Sequence, residues 1–426
     1  MLGFYLSLTL KNLLRRKRRT LLTAAAIAVG ILYFVAFDSM LSGLNQEAVS
    51  NMISFETGHV QLTAPVGTPA PSVEAVLADV RSQADVVGAT PRFVVPAMLV
   101  AEADELPVSV VAVDPKSDTQ VFKQAHYVTE GQWLTDGTMI GAPDTIEEPT
   151  ATAPISIVLG QRIAGLLGLT VGDSVGIRLN DATAMATATV GAPPAAATVT
   201  GIVNTPHPTV NSSQIFVAVG RARELVDAAG VSPSTVVSVS VAPRRTRDPI
   251  RIVASIGTIA GWKVESWNDT ATFLAIGSGK RTYAMALLGL VMIIATIGVV
   301  NSILLSTMER TREIGILMSI GMTRSQIVTL FMMEGGGLGL LGGLLGAVMS
   351  VATNYYLVEV GIDIQSILGD IDLDIGYPIA TAMRGAWNWP MLIVAVLFGL
   401  AVSLIASYLP ARRAAGLDPV ACLRRL

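Results

Sequence analysis

Apolar residues in this chain gather into long unbroken stretches toward its two ends and into short alternating runs between them. The hydrocarbon core of a bilayer, about 30 Å thick, takes about 20 helical residues to cross. Four stretches reach that length without a Lys or Arg: residues 20–43, 283–307, 328–357 and 390–409. Each is predicted to be a membrane-spanning helix. Residues 4–19 read as a further helix, with Leu6, Leu10, Leu13 and Leu14 on one side and Lys11, Arg15 and Arg18 on another, suited to lying along a membrane interface.

Between the first two spans the period shortens. In TVVSVSV, Val237, Val239 and Val241 alternate with Ser238 and Ser240, the period-two signature of a half-buried strand. PVSVVAVD (107–114), GHVQL (58–62) and ATVTGIV (197–203) read as further strands. Helices are predicted where Val73, Val76, Leu77 and Val80 follow Pro71 and Ser72, over GRARELVDAAG (220–230), and over DPIRIVASIG (248–257) with Asp248 and Pro249 at its start. The segment is read as a mixed α/β domain. Its Ala-, Pro- and Thr-rich stretches 64–71, 142–154 and 182–198 are read as loops or inserts separating two subdomains.

Composition sharpens this picture. Apolar residues make up 51% of the chain and charged residues 14%, against roughly a quarter charged in an average soluble domain. The net charge of −3 gives a nucleic-acid partner no electrostatic support. Cys422 stands alone, so no disulfide can form within the chain. The basic residues cluster: KNLLRRKRR (11–19) precedes the first span, Arg310, Arg312 and Arg324 follow the second, and Arg412, Arg413, Arg424 and Arg425 follow the fourth. By the positive-inside rule both termini and the 308–327 link are cytoplasmic. The outer loop agrees, carrying Glu359, Asp363, Asp370, Asp372 and Asp374 against Arg384. The expected order is therefore an interfacial helix (1–19), the first span (20–43), a large extracytoplasmic domain (44–282), the second span (283–307), a cytoplasmic link (308–327), the third span (328–357), an outer loop (358–389), the fourth span (390–409) and a cytoplasmic tail (410–426). A cleaved signal peptide is disfavoured for the N-terminus, because the apolar run exceeds the usual 7–15 residues.

The link MERTREIGILMSIGMTRSQI (308–327) carries the most information. Ile314, Leu317 and Ile320 form an apolar stripe at helical spacing, with Glu309, Arg310, Arg312 and Glu313 at its start. Such a stripe on a short cytoplasmic helix fits a groove on another protein; a helix resting on the inner leaflet is the competing reading. In the third span Gly335, Gly339 and Gly343 recur every fourth residue, with Gly342 and Gly346 as a second pair, a spacing that lets helices approach closely in lipid. Packing within one subunit and packing between subunits both fit. Asp38, Asn301 and Glu334 are the notable polar residues of the spans, with Asp38 and Glu334 expected to reach headgroups and water.

No catalytic constellation emerges. IGSGKRT (276–282) mimics the end of a P-loop through Gly279 and Lys280, but Leu274 replaces the first glycine and Arg281 the magnesium-binding Ser or Thr. DIDLD (370–374) alternates carboxylates like a calcium loop, yet Ile375 and Thr381 stand where the turn glycine and bidentate Glu belong. His59, His126 and His207 are scattered without a second ligand at metal spacing. Catalytic, cofactor and metal residues are accordingly expected to be absent.

REIGILMSIGMTRSQI resembles the coupling-helix region of the MacB/LolC/FtsX-type (type VII) ABC permeases. LPARRAAGLDPVACLRRL (409–426) is similar to the tail of those subunits, and LLRRKRRTLLT (13–23) to their entry into the first span. VAVDP (111–115), EGQWL (130–134), LGLTVGDSV (167–175) and VESWND (264–269) resemble signposts of their periplasmic domain, in the same order. The resemblance implies a membrane protein with four transmembrane α-helices and a large mixed α/β domain between the first and second, sited in a bacterial inner membrane. It implies a pair of permease subunits, the same or paralogous, and a separate ABC ATPase that binds the ATP and magnesium. Glu309, Arg312, Glu313, Ile314, Gly315, Ile316, Leu317 and Gly321 would form the docking element on that ATPase. FETGHVQL (55–62) is closest to the LolC/LolE lipoprotein-release subgroup, which implies a periplasmic substrate or carrier protein and membrane lipid as further partners. MacB-type export of a peptide, toxin or drug, and FtsX-like activation of a cell-wall hydrolase, are the competing functions.

Overall fold

The computed structural model describes residues 17–65, 72–83, 85–101, 104–135, 154–179, 194–229, 233–241, 261–270, 311–363 and 382–416, together with single positions 9, 11, 15, 286, 289, 297 and 300. The chain forms two compact units, one from residues 1–46, 276–369 and 382–426, the other from residues 47–275 and 370–381.

Three helices in the described residues are long and apolar enough to cross a membrane. They are α1 (Lys17–Met52), α9 (Arg324–Glu359) and α10 (Trp389–Ala415), and they contain the expected spans 20–43, 328–357 and 390–409. The second expected span, 283–307, is described only at positions 286, 289, 297 and 300, each helical. IGSGKRT, DIDLD and residues 248–257 lie outside the described residues.

Helices α1 and α10 run well past their expected C-terminal ends. At 36 residues, α1 is about 54 Å long; its last turns persist because Ala48 and Met52 are buried. Helix α10 continues through Pro410 to Ala415, so the start of the expected tail is helical. Burial of Ala411 and Ala415 against Ile314 and Phe331 offsets the hydrogen bond that proline cannot make.

Helices α9 and α10 pack face to face through small residues. A Cβ at Gly339 would lie 2.7 Å from Cβ of Ser403, one at Gly343 would lie 3.1 Å from Val396 Cγ1, and one at Gly335 would overlap the Ser407 hydroxyl. Gly342 and Gly346 face α1 instead, where a Cβ would meet Ile27 at 2.7 Å and Ile31 at 2.9 Å. Both glycine sets are thus occupied by contacts within one chain. Dispersion and close backbone approach are what hold helices together where lipid removes the hydrophobic drive.

The second unit is built on a ten-stranded sheet. Strand β2 (Val86–Ala101) is 16 residues long and serves two layers. Its first half pairs with β9 (Ser234–Val241), followed by β1 (Val60–Thr63) and β10 (Lys263–Ser266). Helix α2 (Val73–Ser82) covers this part, capped by Ser72 and burying Val76, Leu77 and Val80 against Val60, Leu62, Val237 and Val239. Ser238, expected on a solvated face, is fully buried, because α3 (Pro115–Val121) packs near the same sheet region.

The second half of β2 belongs to a closed circuit. It pairs with β3 (Asp104–Val113), β3 with β8 (Gln214–Ala218), β8 with β5 (Ile155–Gly160), β5 with β7 (Ala195–Val203), β7 with β6 (Ser174–Leu179), and β6 with β2 again. Leu99, Val110, Ile157, Leu159, Ile177, Val199 and Ile215 form part of the core of this part. Residues 195–198, expected in a loop, are the start of β7, with Ala197 fully buried.

Candidate functional site

Helix α8 (Thr311–Ser319) holds the predicted docking element. It ends in two bonds, Gly321 N–H to the Met318 carbonyl at 3.0 Å and Met322 N–H to the Leu317 carbonyl at 3.1 Å. Together these are the Schellman closure, and Gly321 adopts the required positive φ of 102°. Thr323 caps α9 immediately afterwards. Its hydroxyl accepts from Gln326 N–H at 3.3 Å while the Gln326 side chain accepts from Thr323 N–H at 2.9 Å. The spacing T-x-x-Q is the sequence signal of this reciprocal capping box. A helix end and a helix start are thus fixed within four residues, and α8 joins the third span by a closed turn.

The apolar stripe divides between two faces. Ile314 is buried against Ile327, Phe331, Ala411 and Ala415, with Met318 and Met322 alongside, so it holds α8 to the spans. Leu317 is half-buried. Ile320 is 77% exposed and Ile316 44% exposed. The outward apolar surface is therefore Ile316 with Ile320, a correction to the stripe Ile314, Leu317 and Ile320. Gly315 is buried and Glu313 half-buried. Glu309 and Asn301 lie outside the described residues, and of Arg312 only the backbone is described.

At the other end of the same unit, Asp38 does not reach water. It is 1% exposed and accepts from Asn388 Nδ2 at 2.8 Å. Ser39 approaches both Asn354 and the Ala386 carbonyl, and Ala386 N–H donates to the Ser39 carbonyl at 3.0 Å. Asn388 also caps α10 by accepting from Met391 N–H. Polar groups of the spans satisfy one another in this way because hydrocarbon offers no alternative partner. Glu334 is half-buried.

In the second unit, a short π-helical turn (Ile53–Thr57) seats the residues after α1 in the sheet domain. Phe55 is buried with Val111, Val158, Val203 and Phe216. The Phe55 carbonyl accepts from Gln124 Nε2 at 2.6 Å and from Arg92 Nη1 at 3.3 Å. Arg92 is itself fixed by Asp118 through Nε–Oδ1 at 2.8 Å and Nη2–Oδ2 at 3.0 Å, with its guanidinium 3.4 Å from the Phe122 ring centroid. Such a bidentate, stacked geometry is specific to arginine. Nothing in the local sequence pattern flagged this socket, because its hydrogen-bonded partners are 26 or more residues apart.

The histidines do not converge. His59 Nδ1 accepts from Val241 N–H at 3.3 Å, and burial pushes its pKa below the ordinary value. His207 Nε2 lies 3.0 Å from Glu56. Among the described residues no group of three or more His, Cys, Asp or Glu could hold a metal ion.

These elements describe a helical membrane unit with a covalently continuous sheet domain. Residues 20–258 match the MacB-like periplasmic core domain and residues 285–419 the FtsX-like permease C-terminal domain. The chain belongs to this family of ABC transporter permeases of the MacB/LolC/FtsX type. It is 36% identical over 162 residues to the uncharacterized ABC transporter permease YknZ of Bacillus subtilis, a match covering 35% of this chain and 34% of that relative. It is 23% identical to the lipoprotein-releasing system transmembrane protein LolC of Xylella fastidiosa over 96% of both chains. The macrolide export ATP-binding/permease protein MacB of Sodalis glossinidius is 31% identical over 37% of this chain and 22% of its own length. The chain thus spans about a third or less of two of these relatives and nearly all of the third. The crystal structure of the extracellular domain of YknZ aligns with 49% of this chain and 99% of its own, at 14% identity and a TM-score of 0.31.

Proposed function

We propose that this chain is the permease subunit of an ATP-driven system in which a separate ATPase docks on α8 and drives the extracytoplasmic domain. The observation that carries the reading is the two-faced α8: Ile314 buried against the spans, Ile316 and Ile320 presented outward, and the closed Gly321–Thr323 turn into α9. An exposed apolar pair on a helix braced from behind can receive a push without sliding. Glu309, Arg312, Glu313, Gly315 and Leu317 complete the docking element in this reading, and ATP and magnesium are bound by the partner.

The topology proposed is four spans, 20–43, 283–307, 328–357 and 390–409, with both termini cytoplasmic and residues 44–282 outside. The basic clusters at 11–19 and 410–425 support that orientation. A second permease subunit completes the assembly. The cargo proposed is a lipoprotein or lipid passed to a periplasmic carrier, because the LolC relative is matched over 96% of both chains. Macrolide-type export remains the second reading, favoured by the 31% identity to MacB over its matched segment. Copurification of the intact complex followed by mass spectrometry of bound lipid and protein tests the cargo: a triacylated lipoprotein supports release, and a bound small molecule or unacylated peptide supports export.

A further inference from the structure

We propose that a notch at the outer ends of α1, α9 and α10 binds the ester carbonyl of a membrane phospholipid, with the Ser350 hydroxyl as donor. The notch is a cavity of about 10 Å³ whose wall includes Ser350, Asn354, Asn388, Trp387 and Trp389. That volume holds one water-sized group, such as a carbonyl oxygen, and excludes a whole headgroup.

The polar atoms of this wall are not equivalent. Asn388 donates to Asp38 and accepts from Met391 N–H, and the side-chain oxygen of Asn354 accepts from the Ser39 hydroxyl. Ser350 is 1% exposed, and its hydroxyl has no hydrogen-bond partner among the described residues. A buried hydroxyl left in this state costs free energy that a suitable acceptor recovers. No Lys, Arg, Asp or Glu belongs to the wall, so an ion would find no counter-charge, and the fitting ligand is a neutral acceptor.

Position selects which neutral acceptor. Trp387 and Trp389 stack with centroids 5.0 Å apart and an interplanar angle of 4°, and they are 38% and 54% exposed. Tryptophans of this kind mark the boundary between hydrocarbon and headgroups. Trp389 opens α10 and Ser350 lies nine residues, about 14 Å, before the end of α9. On the topology proposed above, the surroundings at this depth are the glycerol and ester groups of the outer leaflet. Arg384, exposed three residues before Trp387, supplies a cation on the same outer segment for a phosphate. The inference rests on the proposed topology but not on the cargo or on ATPase docking, so it stands or falls apart from those two.

The test offers the full chain in detergent an equimolar mixture of diester phosphatidylglycerol and the diether analogue with the same chains, and reads retained lipid by native mass spectrometry. The expected result is about threefold or greater retention of the diester, one hydrogen bond's worth. Ser350→Ala, which removes the donor and creates no clash, should bring the ratio to about one. Thr329→Ala, near the other end of the same helix, should leave it unchanged. Equal retention by the unaltered chain, a preference that survives Ser350→Ala, or an experimental map with a trapped water only in the notch would each overturn the proposal.

Discussion

Arg92 and Asp118 meet through two parallel bonds in the interior of the sheet domain, both side chains at least nine-tenths buried, and the third guanidinium nitrogen holds the carbonyl of Phe55. The pair fixes the turn that follows α1. Removing one partner leaves an uncompensated buried charge, so Asp118→Ala should lower stability by about 3–5 kcal/mol. Denaturant unfolding of the sheet domain followed by tryptophan fluorescence checks this. Arg92→Lys should lose nearly as much, since lysine offers neither the fork nor the stacking on Phe122.

Gly339 and Ser403 are a second coupled pair. Gly339→Ala should force α9 and α10 apart at a cost of about 1–3 kcal/mol, and Ser403→Gly in the same chain should recover most of it. Thermal unfolding in detergent of the two single variants and the double variant decides the matter. Independent, additive effects would place the glycine face against some other surface.

Gly321→Val puts a β-branched residue at a φ of 102°, which L residues rarely adopt. Nothing lies within 4 Å of where its Cβ would be, so the effect is backbone strain rather than collision. The expected loss is at least about 1 kcal/mol, seen as a lower unfolding temperature of the chain, with the apolar pair Ile316 and Ile320 untouched.

Acid should weaken the sheet domain through His59. Its folded pKa is depressed by burial, so below the unfolded value of about 6.5 the unfolded chain binds more protons and stability falls as pH drops. Protonation also sets a ring N–H against the Val241 N–H that Nδ1 now accepts. Unfolding temperatures at stepped pH from neutral toward acid should decline for the unaltered chain and decline less for His59→Asn, whose side-chain oxygen can accept the same bond without titrating. Parallel curves would remove His59 from the account.

Much of this architecture could be read from residue order. Hydropathy located the described spans, and alternation located strands such as Ser234–Val241, because both signals are local. Helix ends were harder to read. The run through Pro410 depends on Ala411 and Ala415 finding Ile314 and Phe331, a contact between segments almost a hundred residues apart. The same contact explains the misread face of α8: spacing joins Ile314 to Ile320, but only the tail of α10 determines which of them points inward. The socket around Phe55 was invisible for a similar reason, since Arg92, Asp118 and Gln124 belong to three different elements.

The central claim is that α8 receives an ATPase through Ile316 and Ile320. Ile320 is 77% exposed, so Ile320→Asp leaves the fold of the permease intact while placing a charge where an apolar groove would close over it without a partner. The measurement is the amount of ATPase copurifying with membrane-inserted permease, for the unaltered chain, for Ile320→Asp, and for Leu166→Asp in the sheet domain, where Leu166 is 62% exposed. The account predicts that Ile320→Asp loses the ATPase and Leu166→Asp keeps it. Retention of the ATPase by normally inserted Ile320→Asp would contradict the account.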